Sequence, residues 1–224
     1  MRRAAGPWTD TVHALLRHVR ARGVTEVPEP LGRDDRGREV LRFLPGEVHH
    51  YPMPGWMWAD AILPAAATLL RRYHDATVGF DPPEPCWRLP AREPSEVVCH
   101  NDFAPYNLVF RGRTLAGAID FDTASPGPRA WDLAYLAYRL VPLTAPGNPD
   151  APATPETERT RRLELLCATY GAPADAAAVA AAVPERLDAL RAFTLARLTG
   201  GGPPALAEHA ALYAADARYA RRRR

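Results

Sequence analysis

Three residues with oxygen-bearing side chains stand at a spacing that suits phosphoryl chemistry: Asp102, Asn107 and Asp120. The first two lie in Val97-Val98-Cys99-His100-Asn101-Asp102-Phe103-Ala104-Pro105-Tyr106-Asn107, the third in Ala118-Ile119-Asp120-Phe121-Asp122. An acidic residue at the exit of an apolar strand is costly unless it faces solvent, a metal or a partner. Phosphoryl transfer mainly asks a protein to position an already activated group and to offset its charge. One carboxylate near the acceptor hydroxyl orients it and takes its proton. An amide oxygen and a second carboxylate hold Mg²⁺, a hard cation that takes oxygen ligands and keeps waters. Asp102, Asn107 and Asp120 answer those needs in chain order. Asp, Pro and Asn are also common turn residues, so a surface turn and a strand-end cap are the bland alternatives. The ordered arrival of loop, hairpin and second acidic cluster favours chemistry.

The spacing His100-x-Asp102-x-x-x-x-Asn107 is followed by Ile119-Asp120-Phe121-Asp122 and by Gly127-Pro128-Arg129-Ala130-Trp131-Asp132-Leu133-Ala134. This series resembles the catalytic core of the aminoglycoside phosphotransferase family, which is similar to protein kinases in fold. The resemblance runs from roughly Thr9 to the C-terminus. It implies that Asp102 is the catalytic base and that Asn107 and Asp120 bind magnesium. It implies that His100 supports the catalytic loop by hydrogen bonding, and that Asp132 ties the following helix to that loop. Asp122 falls near the metals. Phe43-Leu44-Pro45-Gly46 resembles the strand and hinge that hold adenine. The implied reaction moves the γ-phosphate of ATP (or GTP) to a hydroxyl of a small molecule, an aminoglycoside or a related amino-sugar alcohol.

A full kinase-like N-terminal lobe carries a Gly-rich loop over the phosphates and a lysine on its third strand. Only eight residues precede Thr9, none of them forming such a loop, and all 28 basic residues of the chain are arginine. Arg2 and Arg3 are the candidates for the third-strand position, with Arg3 as a nucleotide contact. Arginine offers a planar fork where lysine offers a point charge. Against the family, the chain is expected to be truncated at its N-terminal lobe or to carry a minimal one. Two rivals use the same residues: a non-catalytic, pseudokinase-like binding module, and a metal-dependent hydrolase built on His100, Asp102 and Asp120. Ser95 and Ser125 lack the Gly-x-Ser-x-Gly context of a hydrolase nucleophile. The acidic residues of the helical half, Glu156, Glu158, Asp175, Glu185 and Asp188, read first as solvated helix faces and second as a pocket for a cationic acceptor.

The elements that must hold these residues read as an α+β fold. Residues 1–46 form a reduced nucleotide lobe and hinge, and residues 47–224 a mostly helical catalytic lobe with a central β-hairpin. Val12, Leu15, Leu16 and Val19 make an amphipathic helix from Thr9, its cap, to Arg22. Val27 to Leu31 reads as a connector, Glu39 to Leu44 as a strand, and Asp60 to Ala76 as a helix. Val97-Val98-Cys99 is a buried strand, and Leu108 to Ile119 a hairpin turning at Gly112. Helices follow at about 130–141, 155–170, 174–182, 184–198 and 205–221. A formal net charge of +2 with interspersed signs gives no case for nucleic-acid binding. No apolar run reaches the ~18–20 residues of a membrane span, and three scattered cysteines fit a reducing compartment. The chain is therefore read as cytoplasmic, with a nucleotide and a small-molecule hydroxyl acceptor as its partners.

Overall fold

The computed structural model describes residues 1–223. Its first unit is a three-stranded antiparallel sheet in the order β1-β3-β2, formed by Arg2–Arg3, Glu39–Leu41 and Pro30–Arg33. The helix α1 (Thr9–Ala21) buries Val12, Leu15, Leu16 and Val19, the stripe expected from their 3.6-residue spacing. Thr9 opens this helix instead of capping it: Trp8 is the cap, and the Thr9 hydroxyl accepts from the Gly6 N–H at 2.9 Å. Part of the expected connector is the strand β2, and the strand expected over 39–44 stops at Leu41. Both differences come from pairing. Pro30 needs no N–H at the first position of a strand, and β3 supplies a partner distant in sequence.

The helix α2 (Ile62–Thr77) packs against α1 and carries the buried Leu63, Leu70 and Tyr73. Next come β4 (Val97–Cys99), a hairpin of β5 (Leu108–Arg111) and β6 (Thr114–Ala118), and β7 (Ser125–Gly127). Gly112 turns the hairpin with φ +59°, a conformation that glycine adopts without strain. The strands β4 and β7 pair antiparallel, with Cys99 opposite Ser125. The helical remainder comprises α3 (Arg129–Leu140), α4 (Glu156–Tyr170), α5 (Ala176–Thr199) and α6 (Leu206–Arg222).

The break expected before Pro184 does not occur; α5 runs through it. A proline in a helix interior removes one hydrogen bond and costs about 3 kcal/mol. Burial offsets that loss: Val183, Pro184 and Leu187 are buried, and Val183 and Leu187 join a cluster with Tyr135, Tyr138 and Tyr213 of α3 and α6. A larger apolar cluster runs continuously from Val12 and Leu15 through Leu70, Phe110 and Phe121 to Leu166 and Val179. The sheet-bearing half and the helical half thus share one core. Among the described residues, no helix is long and apolar enough to cross a membrane.

Candidate active site

The two strand pairs bring residues 100–107 and 119–124 side by side. His100 is fully buried between them. Its Nε2 lies 3.0 Å from the Ile119 carbonyl, and its Nδ1 accepts from the Asp102 N–H at 3.2 Å. A carbonyl only accepts and an N–H only donates, so these partners place the ring proton on Nε2. Asn101 donates through Nδ2 to the Thr123 carbonyl and to Ser125 Oγ, both at 2.9 Å. Asn101 and Asp120 both adopt φ +64°, the left-handed region that Asn and Asp tolerate best among residues with a Cβ.

Asp132, fully buried on α3, holds this loop. Its Oδ2 accepts from the His100 N–H at 2.6 Å and from His74 Nε2 at 3.1 Å, and its Oδ1 accepts from the Asn101 N–H at 2.8 Å. Burial opposes the charge, but these bonds and the nearby imidazoles outweigh it and hold the carboxyl below the usual carboxylate range. His74 is pushed down by burial and accepts from the Tyr170 hydroxyl at 2.7 Å. Arg129, beside Asp75, donates to that same hydroxyl. The role expected of Asp132 is therefore borne out geometrically.

Asp102 is half-buried at the mouth of the loop. Its Oδ1 accepts from the Tyr106 hydroxyl at 2.6 Å, and its Oδ2 accepts from Asn107 Nδ2 at 2.8 Å. Burial pushes its carboxyl up, Tyr106 and His100 pull it down, and the neighbouring Asp120 adds to the rise. A carboxylate held above its usual range is a stronger proton acceptor. Tyr106 bonds onward to the Tyr135 hydroxyl at 2.6 Å, which accepts from Arg139 Nε at 3.3 Å. Sequence reasoning missed this tyrosine pair. Tyr106 is four residues from Asp102 and within the motif, but its aim depends on α3, which no local pattern supplies.

Asn107 is buried, and both bonds of its Nδ2 run to Asp102. Its Oδ1 has no hydrogen-bond donor among the described residues. Asp120, exposed at the start of the next turn, accepts from Arg3 Nη1 at 2.9 Å through Oδ1 and keeps its other oxygen. Hard oxygens on Asn107, Asp120 and Asp122 fit magnesium chemically.

Arg3 lies on β1, opposite Glu39 of β3. Its guanidinium bonds Glu39, Asp120 and Asp122 together. Burial disfavours this charge, yet Asp122, Glu39 and Asp120 prevail and hold its pKa above the ordinary value. Glu39 in turn meets His13 of α1 at 3.0 Å. The sheet therefore reaches the acidic turn through an arginine.

Asp102, Asp120 and Asp122 line one cavity of about 840 Å³, whose far wall is built by α5 and α6. Phe43 and Leu44 stand outside it. Phe43 is 65% exposed, and Leu44 packs near Gly117 on β6. The acidic residues of the helical half do not line it either. Glu158 binds Arg161, Asp175 caps α5 and Asp188 binds Arg221. Their reading as helix-face residues holds, and the cationic-pocket reading does not.

Comparison with known proteins agrees with this architecture. Residues 84–161, a span containing Asp102, Asn107, Asp120 and Asp132, match the model of the phosphotransferase enzyme family. The structure is similar to a Ralstonia eutropha protein provisionally assigned as an aminoglycoside phosphotransferase. That likeness has a TM-score of 0.66 at 14% identity and covers 97% of this chain and 85% of that one. It is also similar to the Plasmodium vivax ethanolamine kinase, with a TM-score of 0.65 at 8% identity over 94% of this chain and 73% of that one. At such identities the likeness defines the fold: α+β, protein-kinase-like, with a mostly helical C-terminal part, as the motif implied. Among curated proteins, the chain is 40% identical over 143 residues to the trifolitoxin immunity protein of Rhizobium leguminosarum bv. trifolii. That match takes in 61% of this chain and 53% of the relative, so the chain spans about half the length of the curated protein it matches.

Proposed function

We propose that the chain transfers the γ-phosphate of ATP or GTP to a hydroxyl of a small molecule. The observation that carries this reading is the Asp102 carboxylate. It is oriented by Tyr106 and Asn107 and opens into the same cavity as the acidic turn at Asp120. Asp102 orients the acceptor hydroxyl and takes its proton at Oδ2 or Oδ1 as the new P–O bond forms and the bond from the γ-phosphorus to the bridging oxygen breaks, releasing the nucleoside diphosphate. His100, with its proton directed at Ile119, fixes the loop. Asn107 Oδ1 and the free oxygen of Asp120 would hold magnesium, which when bound offsets charge on the transferring group. Arg3 fills the place of the absent lysine and pairs with phosphate oxygens as a fork. Residues 1–46 then act as the nucleotide lobe and residues 47–224 as the catalytic lobe.

The test is an ATP-consumption assay across alcohol acceptors with wild type and Asp102→Ala. Turnover in wild type that falls at least a hundredfold in the variant supports the assignment. Undiminished turnover in the variant defeats the proposed base. A specific observation favours a second reading, a binding module without transfer: Arg3 already neutralises Asp120 and Asp122. Calorimetry with and without Mg²⁺ separates the two, since absence of binding at millimolar ATP selects the second.

A further inference from the structure

We propose that the acceptor held beside Asp102 is a hydroxyl compound bearing an oxyanion, a carboxylate or a phosphate, seated on Arg186 and Arg92. This refines the phosphotransferase reading and rests on it.

Charges of both signs face the cavity. Its four carboxylates all have roles or partners. Asp102 is the base. Asp120 and Asp122 face Arg3, and Asp150 meets Arg139 at 3.2 Å. None remains for an ammonium group. Five arginines line the same space, and three of them, Arg92, Arg186 and Arg197, lack a close counter-charge among the described residues; Arg92 and Arg186 are the two that pack on Trp131. Arg186 of α5 is 3% exposed; one nitrogen donates to the Asn101 carbonyl, and its buried Nε has no hydrogen-bond partner among the described residues. An unpartnered buried donor of this kind is costly, and the guanidinium that carries it has no ion-paired carboxylate to offset its charge among the described residues. Arg92 has only Glu185, at 3.8 Å and 74% exposed.

Both guanidiniums pack on one aromatic ring. Arg92 lies 3.8 Å from the Trp131 centroid and Arg186 lies 5.3 Å from it. Arg186 also covers Tyr135 at 4.6 Å. Burial, with Arg186 adding to the effect, pushes the Arg92 pKa down. Two stacked forks lining one cavity make a seat for a planar or tetrahedral oxyanion. Arg186 touches the loop residue next to Asp102, so an acceptor anchored there presents its hydroxyl to the base.

The test uses the full chain with Mg-ATP and four sugars of matched size: D-glucuronate, D-glucose 6-phosphate, D-glucuronamide and D-glucosamine. ADP release gives kcat/KM for each. The expected result is at least a tenfold preference for an oxyanion sugar over the amide, with the amine poorest; the two oxyanions tell carboxylate from phosphate. Arg92→Gln, which leaves the loop untouched, and Arg186→Lys each reduce that preference at least fivefold, mainly through KM. Calorimetric ATP affinity stays within twofold. Preference for glucosamine, equal use of all four, or no binding or use of either oxyanion sugar overturns the proposal. So does a parallel loss of ATP affinity in the variants, which assigns the arginines to the donor phosphates. Calorimetry of the oxyanion sugars without nucleotide separates the two levels. Binding with no transfer keeps the anion seat and defeats phosphotransfer, whereas transfer to glucosamine alone does the reverse.

Discussion

Replacing Asp132 by asparagine changes one oxygen to an amide nitrogen at a site built entirely of donors. The carboxylate receives the His100 and Asn101 N–H groups at 2.6 and 2.8 Å and His74 Nε2 at 3.1 Å, with no exposure to water. Whichever way the new amide turns, its NH₂ meets a donor. Removing one partner of a buried charged network costs about 3–5 kcal/mol, a large share of a typical total of about 5–15 kcal/mol. With a urea slope of about 1–3 kcal/mol per molar, the unfolding midpoint of Asp132→Asn falls by about 1–5 M at pH 7.5, read by tryptophan fluorescence. Acid narrows the gap. The folded pKa of Asp132 is below its unfolded value near 4, so between those values the unfolded chain binds more protons and wild type loses this stabilisation as pH falls. His74 is also depressed, from about 6.5 in the unfolded chain, so its contribution weakens stability from about pH 6.5 downward in both proteins. A midpoint shift below about 0.3 M at neutral pH, or a gap that widens in acid, refutes the claim that this carboxylate holds the loop.

Other outcomes follow from the same geometry. Tyr106→Phe removes a donor to ionised Asp102; the acidic limb of the kcat/KM–pH profile moves upward, and an unmoved limb counts against Asp102 as the titrating base. Asn107→Ala raises the Mg²⁺ concentration for half-maximal turnover by about 10–100-fold, measured by magnesium titration, and an unchanged midpoint removes Asn107 from the metal site. Gly117→Ala places a methyl 2.2 Å from the Glu26 carbonyl oxygen and 2.6 Å from Leu44 Cδ2. It costs about 1–3 kcal/mol in urea unfolding, whereas Gly55→Ala, with nothing within 4 Å of the added carbon, changes the midpoint little.

The catalytic loop was legible because its chemistry is local. His100, Asp102 and Asn107 sit within eight residues, and the short hairpin returns the chain to Asp120 without help from elsewhere. The helices were legible wherever a long apolar stripe repeated, as in α1. What escaped depends on partners distant in sequence. The strand β2 begins with a proline and exists through β3. The helix α5 survives Pro184 because α3 and α6 bury that stretch. Tyr106 joins the site through Tyr135, 29 residues away. The adenine expectation at Phe43 and Leu44 was read from a tetrapeptide alone, and the cavity lies elsewhere.

The absence of lysine carries the argument one step further. A kinase-like lobe couples its third-strand cation to a glutamate on the following helix. Here the helix α1 offers His13 and the strand β3 a glutamate: Glu39 lies opposite Arg3 and meets His13 on its other side. Burial raises the carboxyl of Glu39, but His13 and Arg3 outweigh it and keep it ionised. A run of contacts therefore links helix, sheet and acidic turn. An arginine suits that run because its fork reaches Glu39 with Nε while both terminal nitrogens face Asp120 and Asp122. A lysine, with one nitrogen, would have to choose among them.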